Sequence, residues 1–91
     1  MVAAVWRVEF GRAADRDLRK LGAEAERTIA RYLRERIATA ADPRRFGHAL
    51  TGDRKGLWRY RVGDYRIVAA IEDDRFVVLV VTIGHRREVY R

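Results

Sequence analysis

The side chains with the most chemical potential lie in the stretch WRYRVGDYRIVAAI, Trp58 to Ile71, where arginines recur on either side of Gly63-Asp64. A Gly-Asp pair between two alternating runs predicts a β-hairpin with a two-residue loop. With that loop, Val62 pairs with Tyr65, Arg61 lies opposite Arg66, and Arg59 lies opposite Val68. Side chains alternate across a strand, so Arg59, Arg61 and Arg66 share one face. Trp58, Tyr60, Val62, Tyr65, Ile67, Ala69 and Ile71 take the other and form a candidate core surface. Like charges set opposite each other on a sheet repel, so the Arg61/Arg66 rung calls for a reason, which a bound polyanion would supply. Guanidinium is planar and permanently charged, and it grips phosphate oxygens in pairs.

The whole chain is basic in the same sense. Twenty Lys and Arg against thirteen Asp and Glu give a formal charge of +7 on 91 residues, and the sequence pI is near 10.7. Such a balance suits nucleic acid, and an acidic protein partner equally well. The length predicts one domain, 1–91, and a chain of this size buries only about 60 to 65% of its extended surface, so the core is small. There is no Cys and there are two isolated His, which argues against a disulfide framework, a thiolate nucleophile and a zinc site. No metal and no cofactor is expected. Arg7 and Glu9 interrupt the apolar start well short of a signal-peptide core or a membrane span. The expectation is a soluble cytoplasmic protein with no membrane partner.

The elements that must position the arginines follow from periodicity. Val5 to Phe10 alternates Trp6, Val8 and Phe10 with Arg7 and Glu9, which predicts a half-buried strand ended by Gly11. Residues 12 to 21 carry Ala13, Ala14, Leu18 and Leu21 at helical spacing and stop at Gly22. A second helix is expected from about Ala23 to Ala40, with Ile29, Tyr32, Leu33 and Ile37 on one side. Asp42-Pro43 breaks it, and Arg44 to Gly56 reads as an irregular basic connection feeding the hairpin, in which His48 carries no signal. Glu72-Asp73-Asp74-Arg75 predicts a second tight turn, with Glu72 and Arg75 able to pair across it. Phe76 to Ile83, almost wholly apolar, belongs inside the sheet, and Gly84 ends it. The polar tail that follows then lies at the hairpin end of an antiparallel sheet, with His85, Arg86 and Tyr90 close to the arginine face.

This order, with Leu50 to Gly52 as L-x-G, then WRYRVGDYRIV and a closing GHRREVY, resembles the RelE branch of the RelE/ParE toxin superfamily over nearly the whole chain. The resemblance implies an α+β fold, with an N-terminal strand and a two-helix hairpin packed on a small antiparallel β-sheet, the RelE-like microbial RNase fold. It implies a toxin of a type II toxin-antitoxin system, a ribosome-dependent endoribonuclease that cuts messenger RNA in the ribosomal A site. The implied partners are a RelB-like antitoxin, mRNA and the small-subunit rRNA of the ribosome, and operator DNA through the antitoxin complex. The family's two basic strand positions fall on Arg59 and Arg61, its next-strand arginine on Arg66, the arginine after the apolar strand on Arg86, and its C-terminal tyrosine on Tyr90. Both strand positions are lysine in the best-known member. Arginine stays protonated and is a poor base, so base chemistry here must come from elsewhere.

Metal-independent cleavage would use the RNA 2′-hydroxyl to attack the adjacent phosphorus, which needs charge stabilisation, a proton acceptor and a proton donor. In the implied site Arg61 and Arg66 clamp the phosphate, Arg86 stabilises the leaving side, and Arg59 orients the backbone. Tyr90 stacks on a base or joins proton transfer, and His85 is the candidate acid or base. Two other readings share the fold: a ParE-like toxin that inhibits DNA gyrase without cutting RNA, and an antitoxin-binding module of low activity.

Overall fold

The computed structural model describes residues 4–85. Strand β1 (Arg7–Phe10) leads into helix α1 (Arg12–Leu21) and helix α2 (Ala23–Tyr32). Gly22, at φ 96°, makes the corner between the two helices in a backbone region that side chains rarely adopt. Asp15 and Arg19 pair one turn apart on α1 at 2.8 Å.

The second helix is shorter in α form than its periodicity predicts. After Tyr32 it widens into a π-helical turn over Leu33–Ile37, closed by the Ala38 amide donating to the Leu33 carbonyl at 2.8 Å. The wider turn keeps both Leu33 and Ile37 in the core, and Ala38 then leaves helical geometry.

The connection that reads as irregular contains structure of its own. Asp42 caps a 3-10 turn over Pro43–Arg45 by accepting from the Arg44 amide. The short strand β2 (His48–Ala49) follows, then a second 3-10 turn over Gly52–Arg54. Strands β3 (Trp58–Val62) and β4 (Tyr65–Glu72) form the expected hairpin, and β5 (Val77–His85) closes the chain's described part. The 72–75 turn forms as expected, with Arg75 donating to Glu72 at 2.8 Å. No helix among the described residues is long and apolar enough to cross a membrane.

The sheet order is β1-β5-β4-β3-β2. The fold is α+β, as the resemblance implies, but the sheet is mixed. β1 runs parallel to β5, while the other three pairings are antiparallel. Alternation in a sequence fixes which face a strand buries and leaves its direction open. The helices cover one face, where Ala14, Leu18, Ile29, Leu33 and Ile37 meet Tyr60, Val62, Ile67, Ala69, Val78, Val80 and Ile83.

One irregularity matters for the site. Ala69 pairs with Val80 but Val68 pairs with Thr82, so Val81 is an extra residue in β5, a β-bulge. The Ile83 amide beyond it donates to Asp17 of α1 at 3.0 Å.

Candidate active site

The face of the sheet turned away from the helices carries the arginines. Arg61 pairs directly with Arg66 and Arg59 with Val68, the register read from the Gly63-Asp64 loop. Gly63 sits at φ 58°, as such a loop needs. The two members of the rung differ in environment. Arg61 is exposed, and its side chain makes no hydrogen bond or ion pair with any described residue. Arg66 is half-buried, with Nε and Nη1 shielded from water. Shielding from water strengthens a cation's pull on an anion brought alongside it. Arg59, also half-buried, lies one rung further along.

The same strand is fastened from its other side. Trp58 and Tyr60 alternate with the arginines and point to the helix face. The Trp58 Nε1–H donates to the Phe46 carbonyl at 2.7 Å, and the Tyr60 hydroxyl donates to the Pro43 carbonyl at 2.9 Å. Burial pushes the Tyr60 hydroxyl above its ordinary pKa, as it does that of Tyr32, where the nearby Arg36 pulls the other way. The strap from 43 to 47 passes so close that a Cβ on Gly47 would sit 2.2 Å from the Arg59 carbonyl oxygen, and Gly47 holds φ 77°. The strap's other end is tied by Arg44, whose guanidinium donates to both oxygens of Asp73 at 3.0 and 2.6 Å. That hydrogen-bonded pairing lowers the Asp73 pKa and raises that of Arg44. Phe46 packs beneath two further guanidiniums, Arg45 at 4.7 Å and Arg36 at 5.5 Å from the ring centre.

The structure brings Arg59, Arg61 and Arg66 together and parts His85 from them. His85 pairs with Tyr65 and meets its ring edge-on at 6.1 Å, on the side of the sheet that the helices cover. The expected placement of His85 beside the arginines is therefore corrected. Strict alternation from Val78 and Val80 would put it there, and the extra residue at Val81 reverses the sides beyond it. The strand also runs through Gly84 to His85 rather than ending at Gly84. Arg86 and Tyr90 lie outside the described residues.

Sequence reasoning missed His48. It pairs with Arg59 across β2 and β3, so its side chain stands on the arginine face. A two-residue strand leaves no periodic signal, which is why nothing in the local pattern marks it.

A sequence model of the family described as the ParE toxin of the type II toxin-antitoxin system parDE matches residues 8–90. Among curated proteins of Mycobacterium tuberculosis, the chain is 38% identical to toxin RelE over 79 residues, covering 76% of this chain and 80% of that one. It is 29% identical to toxin RelG over 84 residues, covering 92% and 94%. Among solved structures, the RelBE2 toxin-antitoxin complex of M. tuberculosis contains a chain that superposes with a TM-score of 0.83 at 25% identity, covering 96% of this chain and 98% of that one. The isolated Escherichia coli RelE toxin superposes with a TM-score of 0.67 at 25% identity, covering 93% and 90%.

Proposed function

The chain belongs to the RelE branch of the RelE/ParE superfamily of type II toxin-antitoxin toxins, and from that premise we propose that residues 1–91 form one toxin domain that cuts messenger RNA on the ribosome. The observation that carries this reading is the Arg61/Arg66 rung on the uncovered face of the sheet. A phosphate seated between the two guanidiniums turns their mutual repulsion into shared attraction.

In the proposed reaction the RNA 2′-hydroxyl attacks the adjacent phosphorus, the bond to the 5′ oxygen breaks, and a 2′,3′-cyclic phosphate and a 5′-hydroxyl result. Negative charge gathers on the non-bridging oxygens in the transition state. Arg61, open to solvent, receives the phosphate, and Arg66, shielded from water, holds the developing charge where a cation acts most strongly. Arg59 contacts the flanking phosphate. On the strength of the family's motif, Arg86 is assigned to the leaving-group side and Tyr90 to stacking on a base or to proton transfer. No cation among these arginines serves as a base.

The RelBE2 and E. coli RelBE structures are both toxin-antitoxin complexes. We assign this chain a RelB-like antitoxin by that likeness, with operator DNA reached through the antitoxin, and the cytoplasm as the compartment where ribosome and antitoxin meet.

The test is primer extension on mRNA from translating ribosomes. Arg61→Ala/Arg66→Ala is expected to lower cleavage by about 10²–10³ or more, the effect of removing one preorganised charge-stabilising group, while the protein stays folded. The ParE name of the matching family keeps gyrase inhibition as the second reading. A protein that arrests growth, leaves mRNA intact and blocks DNA supercoiling would establish that reading instead.

A further inference from the structure

The arginine face lacks a base of its own in the site as proposed, and the geometry points to His48 as the group that takes the proton from the RNA 2′-hydroxyl. This inference rests on the nuclease reading above. His48 pairs with Arg59 across the β2-β3 ladder, and side chains directly opposite in a ladder stand on the same face. Two positions along β3 from Arg59 is Arg61. Such diagonal neighbours lie about 7–8 Å apart at the backbone, within the combined reach of an imidazole and a guanidinium. A phosphate gripped by Arg61 and Arg66 would thus present its sugar toward β2, at the edge of the sheet where a strand of RNA can enter.

His48 is also available. Its side chain is exposed and makes no hydrogen bond or ion pair with any described residue. Among the described residues, the strand carboxylates that share its face, Glu9 and Glu72, are held by Arg75 at the far end of the sheet. The charged groups around it are Arg59 and Arg61 on β3, Arg45 in the turn before it, and Asp53, Arg54 and Lys55 in the turn after it. Imidazole is the side-chain group suited to accept and return a proton in the neutral range.

The step balances without a co-reactant. A neutral His48 nitrogen takes the 2′-hydroxyl proton as the 2′ oxygen bonds to phosphorus, and the 5′ oxygen leaves with a proton from water. The hydroxide so formed recovers the proton from the imidazolium, so the ring ends as it began.

The test is single-turnover cleavage of ribosome-bound mRNA by the wild-type toxin, His48→Ala and His48→Gln across the neutral pH range, with ribosome binding measured alongside. Both variants are expected to bind ribosomes as the wild type does and to cut about 10²–10⁴ times more slowly, the usual worth of a positioned base. The rise in rate through neutral pH should vanish, and added imidazole should restore part of the His48→Ala rate. Undiminished cutting by the variants with the wild-type pH profile would overturn the role of His48 and leave the nuclease reading standing. Slow cutting that tracks weakened ribosome binding, without rescue by imidazole, would equally overturn it. Absence of cutting by the wild type would remove the nuclease reading and this inference with it.

Discussion

Arg61 and Arg66 face each other across one rung, yet one stands in water and the other is shielded from it. At the scale of single residues this division matters more than the shared charge, because the shielded member gains most from a bound anion and the open one captures it. The arginine face is legible in the sequence because a two-residue loop leaves no freedom in register. Gly47 and His48 are not legible, since their roles depend on which strand edge the chain passes after a long connection. Gly47 can be tested alone. A side chain there meets the Arg59 carbonyl and an unfavourable φ together, so Gly47→Ala is expected to cost about 2–4 kcal/mol. Urea denaturation would read this as a lower midpoint.

At the scale of elements, β3 works as a strip with two sides. Trp58 and Tyr60 fasten it to the strap, and that fastening sets the height of Arg59 and Arg61 on the opposite side. Both faces of the strip can be read from alternation, but the strap's carbonyls, which receive the two hydrogen bonds, cannot, because they come from backbone 12 and 17 residues away. The direction of β1 and the π-helical end of the second helix are equally silent in periodicity. Tyr60 supplies a measurable consequence. Its folded pKa is raised by burial above the ordinary value of 10.0, so its contribution is complete below that pH and is lost as pH rises beyond it, when the unfolded chain ionises first. Tyr60→Phe is expected to cost about 1–3 kcal/mol at neutral pH by orphaning the Pro43 carbonyl. It should also flatten the alkaline fall in stability, leaving the part owed to Tyr32. Thermal unfolding from pH 7 to pH 11 of both proteins would check the pair of effects.

For the whole molecule, the surplus of seven positive charges is not spread evenly in its availability. Arg7, Arg19, Arg44 and Arg75 are tied to carboxylates, whereas Arg61 has no ion pair with any described residue. Binding to single-stranded RNA should therefore weaken with salt, and Arg61→Ala/Arg66→Ala should reduce the slope of log affinity against log salt by about 0.7, the share of the one phosphate the two arginines grip together. A titration series over salt concentration measures it, and an unchanged slope would place the RNA elsewhere. The bulge at Val81 has a consequence at this scale too. Beyond it, odd-numbered residues of β5 face the helices and even-numbered ones face the arginines, the reverse of the rule before it. Deleting Val81 would leave Thr82 opposite Val68, Ile83 opposite Ile67 and His85 opposite Tyr65, so regular alternation would return with both surfaces as they are and only the local bend and added twist would be lost. The molecule's inside and outside at that end are thus set by the partners on β4, and not by an odd or even place in the chain.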